Sequence, residues 1–465
     1  MTRPKQRLTL PRIVRTTTPR SRATSSVSGG IVTSTVLALL VGLLVVAGPA
    51  APAQADWYKP PVGITVNDPL GSKREKRAIN RHVRRSIDSV MRRQKIRIAS
   101  WNLRNDTIVD SLVAAHKRGV SVRVVVDRGN ANPDNPNPGV DRLRRVLSRH
   151  GNATREPAMR SGVRRCVSAC RGQRGIAHSK FFLFSQVGPT RWVVVNGSAN
   201  LTDLAASHQW NDVFTTRGRR NVYDEFLRVF DQMYADRTRA QGYRVRQFQG
   251  LTTMFMPWTG SGTAGDPTMR ELDRVRCWGA TNTGDRRTRL KIAMTSWHGE
   301  RGVRLARKVR RLYDGGCQVQ IIYAVMGNEV LRLMRNGRRG PIPFRQLVQD
   351  PDGDGVYDRY LHTKVLTIRG RYAGQRGAFV TVNGSLNWTP VALASDEAVM
   401  RLRSKRVLEG YNRWIAAWYA RAPRTRSVGS AVEGRRTTTS LRTTQVAPLG
   451  ALVDGVDPYA KIQEH

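Results

Sequence analysis

Acidic residues are scarce in this chain of 465 residues: 34 Asp and Glu stand against 79 Lys and Arg. That imbalance points to polyanions such as nucleic acid, anionic lipid headgroups or cell-wall polymers. Long apolar runs are also missing. The longest, Val36–Ala47, falls short of the roughly 20 residues that span a bilayer, and no later segment comes closer. There are only four cysteines, Cys166, Cys170, Cys277 and Cys317, without the second Cys-x-x-Cys that a structural zinc site would need. Global disorder is excluded by a hydrophobic content of 40%.

Seven basic and no acidic residues lie between Arg3 and Arg22, ahead of the short apolar run and an Ala-x-Ala end at Ala53 and Ala55. This order predicts a secretory signal over residues 1–55. Without those seven, 72 basic and 34 acidic residues remain, a net charge of +38. Secretion and an even cysteine count favour two disulfides. Cys166–Cys170 and Cys277–Cys317 are the expected pairs, since each falls within one half of the chain.

The remaining sequence carries one plan twice. VNDPL at Asp68 is answered by GDPTM at Asp266, IRIASW at Trp101 by KIAMTSW at Trp297, and KRGVSVRVVVD at Gly119 by DGGCQVQIIY at Gly316. HSK at His178 then matches HTK at His362, and VVVNGSANLT at Asn196 matches VTVNGSLNWT at Asn383. The offsets are 198, 196, 197, 184 and 187, so the first copy has a loop about 13 residues longer ahead of its histidine. Strand and helix patterns alternate. Ser72 and Glu75 form a capping-box pattern before the helical spacing of Ile79, Val83, Ile87 and Val90. Ile108, Leu112 and Ala115 mark a helix ending at Gly119. The fold expected is α/β: two tandem sandwich domains with mixed sheets, related by a pseudo-twofold, over residues 56–246 and 247–424. A Ser/Thr/Arg-rich tail occupies 425–465.

Each copy places His-x-Lys at a strand start and Asn-Gly-Ser-x-Asn about 20 residues later. Imidazole is a nucleophile or proton carrier near neutral pH. Lysine is a point charge for a phosphate oxygen, and serine and asparagine add neutral donors. The set is a phosphate cradle beside a histidine, present twice.

These residues resemble the phospholipase D superfamily, with its duplicated His-x-Lys-x4-Asp and Gly-Ser-x-Asn. The matching positions are His178, Lys180, Ser198 and Asn200, then His362, Lys364, Ser385 and Asn387. The resemblance runs from about Asp68 to Glu397. It implies that one histidine attacks phosphorus to form a phosphohistidine while the other protonates the leaving alcohol and then activates water. By that likeness His178 is the nucleophile and His362 the acid/base. Lys180, Lys364, Ser198, Asn200, Ser385 and Asn387 bind the phosphate, and no metal is required. The motif Asp falls on Ser185 and Arg369, neither acidic. A carboxylate following Gly-Ser-x-Asn often orients a histidine in the family, and Asp212 and Glu397 are the candidates.

DPDGDG, Asp350 to Gly355, resembles the first half of a calcium loop, with Asp350, Asp352 and Asp354 as ligands and Asp358 as a further donor. Leu361 stands where the closing Glu would be. Structural calcium is therefore one reading and a plain acidic turn the other. Trp101 and Trp297 read as packing residues, His208 and His298 as ordinary histidines. The face made by Lys73, Lys76, Arg77, Arg81, Arg84 and Arg85 is a solvated face or a docking surface.

The function expected is a secreted, monomeric phosphodiesterase of the phospholipase D type. It would hydrolyse a phosphatidylcholine-like phospholipid at a membrane surface to phosphatidic acid and free headgroup alcohol. Met254, Phe255, Met256 and Trp258 are the apolar residues suggesting lipid contact. The alternative is a secreted nuclease of the same superfamily, favoured by the charge. A non-catalytic polyanion-binding module is a third reading, opposed by the intact pairs of His, Lys and Asn.

Overall fold

A computed structural model describes residues 57–260, 265–353 and 355–423. The expected signal segment 1–55, the tail 425–465 and Asp354 lie outside the described residues.

The first half builds a sheet of seven strands: β1 (Gly63–Val66), β2 (Lys95–Ala99), β3 (Ser121–Asp127), β4 (Gly162–Cys166), β5 (Phe181–Val187), β6 (Thr190–Gly197) and β7 (Asp212–Thr216), in the order β1-β7-β6-β5-β2-β3-β4. β2, β3 and β4 run parallel and the other neighbours are antiparallel. The second half adds β8 (Arg244–Phe248), β9 (Leu251–Phe255), β10 (Arg289–Trp297), β11 (Gln318–Met326), β12 (Phe344–Gln346), β13 (Lys364–Tyr372), β14 (Gln375–Gly384) and β15 (Ala398–Arg403). Their order, β8-β9-β15-β14-β13-β10-β11-β12, repeats the first plan strand for strand from β7 to β4. The chain is a mixed α/β protein with the same sheet built twice.

Helices fill three layers around these sheets. In the first half they are α1 (Ala78–Asp88), α2 (Asp106–Lys117), α3 (Pro138–Leu147) and α4 (Arg220–Ala235). In the second they are α5 (Gly299–Asp314), α6 (Asn328–Arg335) and α7 (Lys405–Arg421). α1 to α3 bury Ile79, Val83, Ile108, Leu112 and Leu143 against Ile96, Ile98, Val122 and Phe182 of the first sheet. Its other face carries Phe181, Leu183 and Val194 against Phe226 and Phe230 of α4, which also touches Phe255 and Met400 of the second sheet. α7 lies between the sheets as well, with Tyr411, Ile415 and Trp418 packed on Ala293, Ile322 and Val365. α5 and α6 cover the outer face of the second sheet. The unbroken run FFLF follows from this layering: successive strand residues point to opposite faces, and both faces are buried.

The capping box at Ser72 and Glu75 is present, but it closes only one turn, Lys73–Lys76. Arg77 leaves helical geometry with ψ at 15°, and α1 starts anew after it. The cysteines pair as expected, Cys166 with Cys170 and Cys277 with Cys317. Met254, Phe255 and Met256 are 4%, 0% and 0% exposed. They form core between the layers and cannot meet a membrane, contrary to the lipid-contact expectation, because β9 is covered on both faces. Among the described residues, no helix is long and apolar enough to cross a membrane.

The two disulfides close loops of different length, with sequence separations of 4 and 40. Loop-closure entropy then predicts a larger loss on opening the long loop. Replacing Cys277 and Cys317 together by Ala should cost about 4 kcal/mol, against about 2 kcal/mol for Cys166 and Cys170. Urea unfolding of the two double variants measures the difference.

Candidate active site

His178 and Lys180 stand just ahead of β5, and His362 and Lys364 at the start of β13. Neither histidine is completed by its own half. Arg359–Leu361 pairs in parallel with Gln209–Trp210 of the first half, Tyr360 opposite Gln209 and Leu361 opposite Trp210. The His362 amide then donates to the Trp210 carbonyl at 3.0 Å. This register sets Asn211 beside His362. In the mirrored crossing the Asp396 amide donates to the Ile176 carbonyl at 2.9 Å, which sets Glu397 beside His178.

The contacts are direct. His178 Nδ1 lies 2.8 Å from Glu397 Oε1, and His362 Nδ1 lies 2.7 Å from Asn211 Oδ1. A carboxylate only accepts, so His178 carries its proton on Nδ1 and leaves the Nε2 lone pair open. Asn211 has the same effect on His362. Its Nδ2 donates to the Ala205 carbonyl and to Gln209 Oε1, so its oxygen must face the ring. Both imidazoles thus direct an unprotonated Nε2 away from their partners.

Asp212, expected to orient a histidine, does not. Strand alternation turns it from the ring that its neighbour Asn211 meets. It lies fully buried and accepts from the Tyr411 hydroxyl at 2.7 Å and Asn383 Nδ2 at 3.3 Å, tying α7 to the first half. Burial pushes its carboxyl up, against those hydrogen bonds. The residue that corresponds to Glu397 is Asn211. Gly197 and Gly384 mark the register, since a Cβ on either would meet the carbonyl of Asp212 or Ala398 at 2.1 Å. Counting back one residue from these two contacts finds Asn211 and Glu397. The same signal stands in the sequence as near-equal spacing from the Gly-Ser-x-Asn turns.

The lysines are buried, 0% exposed for Lys180 and 3% for Lys364. Each Nζ donates to the carbonyl of the histidine two residues earlier, at 2.6 and 2.7 Å. Their charges cross the halves: burial lowers both imidazoles first, and Lys364 then bears on His178 as Lys180 does on His362. Glu397 opposes this at His178, whose pKa is pushed down to about 4. His362, with a neutral partner, is held well below the usual histidine value.

The motif serines differ from expectation. Ser198 donates its hydroxyl to Asn211 Oδ1 at 2.9 Å, and Ser385 accepts from the Ala398 amide at 3.1 Å. They buttress the crossing strands instead of facing a phosphate. Asn200 and Asn387 are 3% and 7% exposed, and their Oδ1 atoms have no hydrogen-bond partner. Ser185, in the place of the motif Asp, accepts from the Lys95 amide and donates to Gln94 at the far end of β5. Arg369 donates to the Asn282 carbonyl. Both lie remote from the histidines, so no reacting group is lost.

Trp101 packs edge-on to His178 with ring centroids 6.0 Å apart, and Lys180 Nζ lies 5.9 Å from its ring centre. Trp297 is not its counterpart. Ala99 lies opposite Phe181 and Ala293 opposite Val365, so Trp101 corresponds to Thr295, and Trp297 packs on Trp388 in the core. Two residues outside the motifs also position the site. Asp127, at the end of β3, accepts from the Ala177 amide at 2.9 Å, next to His178. Burial raises its pKa to about 6, against the amides of Ala177 and Gly129 and the charge of Lys180. Asp396, beside Glu397, accepts from the Cys170 amide. Burial raises its pKa to about 7, with Arg171 opposing.

Asp350, Asp352 and Asp358 bring carboxylate oxygens within 4.8 Å of one another. His208 is half-buried with Nδ1 on Ser207, and His298 is buried at the start of α5.

Residues 85–234 match a family model described as cardiolipin synthase, PLD-like domain. Over these residues the chain is similar to a phospholipase D-like domain. Among solved structures it is similar to a polyphosphate kinase from Porphyromonas gingivalis, at 13% identity over 76% of this chain and 50% of that one, with a TM-score of 0.49. It is similar to a phosphatidylserine synthase from Haemophilus influenzae Rd KW20, at 13% identity over 78% and 89% of the two chains, TM-score 0.47. It is also similar to Nuc, a phospholipase D family member from Salmonella typhimurium, at 21% identity over 38% and 96%, TM-score 0.28. No curated protein matches the chain. The chain spans half the length of the polyphosphate kinase.

Replacing Glu397 by Gln keeps a hydrogen-bond acceptor but removes the charge behind His178. A roughly 10- to 100-fold fall in kcat is expected, with an unchanged Tm. Asn211→Asp adds charge behind His362 and should move the alkaline limb of the pH–rate profile upward, since an adjacent carboxylate favours imidazolium.

Proposed function

We propose that the protein is a phosphodiesterase working through a phosphohistidine on His178. The observation that carries this is the pair of histidines, each with Nδ1 engaged and held by the opposite half. His178 Nε2 attacks phosphorus while the bond to the leaving alcohol breaks, and that alcohol takes its proton from His362. Water then gives a proton to His362 and attacks phosphorus, breaking the N–P bond and freeing His178. An N-phosphorylated imidazole with Nδ1–H is cationic, so the carboxylate belongs behind the nucleophile. Glu397 makes His178 the better fit for that role. His362, backed by a neutral amide, is the more acidic imidazolium and the better donor. The anionic substrate raises the proton affinity of both, and the lysines and motif asparagines meet its non-bridging oxygens. No metal takes part in this scheme, and the cluster of Asp350, Asp352 and Asp358 would act, with calcium, only on the order of its own loop.

Of the two diester classes, a polynucleotide is the better supported. A net charge of +38 outside residues 1–55 suits a polyanion, and Lys73, Arg74, Arg77, Arg84 and Arg85 are exposed along the first helical segments. Hydrolysis of a phosphatidylcholine-like phospholipid to phosphatidic acid is the second reading, resting on the doubled motif in one chain. Two disulfides fit a secreted protein.

Purified protein incubated with plasmid DNA should cleave it, with and without EDTA. His178→Ala and His362→Ala should each lose at least 1,000-fold, on the order seen when a nucleophile–base pair is broken. Choline release from phosphatidylcholine vesicles without DNA cleavage would select the lipid reading. Wild-type rates in both variants would refute the mechanism. The pH optimum should be acidic. His178 stays neutral above about pH 4, whereas His362, with its lowered pKa, is protonated more as pH falls below the usual histidine value of about 6.5. A kcat/KM that falls as pH rises through this range is expected, because His362 is the group whose proton is lost.

A further inference from the structure

Two more polar residues stand against the motif asparagines. Leu103–Arg104 pairs in parallel with Leu201–Thr202, Leu103 opposite Leu201. Asn102 and Asn200 each come one residue earlier, so they lie side by side. In the second half Trp297 bridges Trp388 in parallel, and the Trp388 amide donates to the Ser296 carbonyl at 3.0 Å. Ser296 and Asn387 are therefore neighbours in the same way. Register-paired residues on parallel strands project to the same face. β2 and β10 are equivalent strands, which makes Asn102 and Ser296 equivalent positions.

Their side chains have the same condition. Asn102 is 1% exposed and Ser296 is 0% exposed. Asn102 Oδ1 and Nδ2, Ser296 Oγ, Asn200 Oδ1 and Asn387 Oδ1 are all buried without a hydrogen-bond partner. A buried polar atom left open costs stability, and folded proteins satisfy nearly all of them. Here the open atoms form two symmetric pairs beside the two motif turns. Trp101, next to Asn102, packs on His178, so this position borders the reacting imidazole.

We propose that Asn102 and Ser296 bind substrate. Asn102 Nδ2 and Ser296 Oγ are the open donors, one for each non-bridging oxygen of a phosphodiester, and they stand beside Asn200 and Asn387, whose open Oδ1 atoms only accept. The lysines supply charge to those oxygens, and these amide and hydroxyl groups supply direction. This rests on the phosphodiesterase reading above and adds residues outside the duplicated motifs.

The test uses the full chain, with bis(4-nitrophenyl) phosphate as substrate and inorganic phosphate as inhibitor. Asn102→Leu and Ser296→Ala remove unsatisfied polar groups, so Tm should hold or rise. In each, kcat/KM should fall about tenfold or more, and the inhibition constant of phosphate should rise. Asn102→Ser restores a donor and should recover part of both losses, which a purely structural role would not produce. Unchanged kcat/KM and phosphate inhibition in Asn102→Leu and Ser296→Ala, with an active wild type, would overturn this proposal alone. So would lowered Tm in Asn102→Leu with no recovery in Asn102→Ser. A wild type that neither cleaves the diester nor is bound by phosphate would overturn both readings.

Discussion

The carboxylate that holds His178 comes from the other half of the chain, and so does the carboxamide that holds His362. A histidine so placed needs both halves in register before it has a defined tautomer. Much of the architecture serves this exchange. The small sheet pairing Arg359–Leu361 with Gln209–Trp210 carries one crossing, and the Asp396–Ile176 bond carries the other. Gly197 and Gly384 allow the close strand approach that presents Asn211 and Glu397. Tyr411, Asn383 and Asp212 clasp α7 to the first half behind the same strands.

Burying two lysines with two histidines is costly in a low dielectric. The fold offsets part of that cost through the histidine carbonyls, which accept from the lysines, and through the carboxylate of Glu397. What remains is a positive interior that adds to burial in lowering both imidazoles. In the proposed reaction this charge would meet the negative charge that gathers on phosphorus without reorganisation.

The halves are equivalent in topology but not in chemistry. Glu397 corresponds to Asn211, and Trp101 to Thr295. A symmetric scaffold thereby gives its two histidines different proton affinities, as a two-step displacement with one nucleophile and one acid requires. The Cys166–Cys170 loop belongs only to the first half and reaches Asp396, next to Glu397. The longer loop thus lies against the more heavily supported histidine.

The sequence by itself determined the repeat, the alternation of strands and helices and the disulfide pairs, and it marked His178, Lys180, Asn200, His362, Lys364, Asn387 and Glu397 as candidates. These were legible because they rest on local period and on motifs that recur in order. Contacts between the halves were not legible. Asp212 drew attention as an acid at a strand start, yet a one-residue register turns it away and brings in the neutral Asn211. Two tryptophans at similar places in the repeat proved inequivalent, since strand register sets them two residues apart. Met254, Phe255 and Met256 looked like a lipid face and became core, Phe255 against α4 and the two methionines against Leu386, Ala392 and Val399. Asn102 and Ser296 belong to no motif and gained meaning only when parallel pairing set them beside Asn200 and Asn387. Strand register decided each of these points, because a slip of one residue exchanges the faces of a strand, and register between distant segments is fixed only in the folded chain.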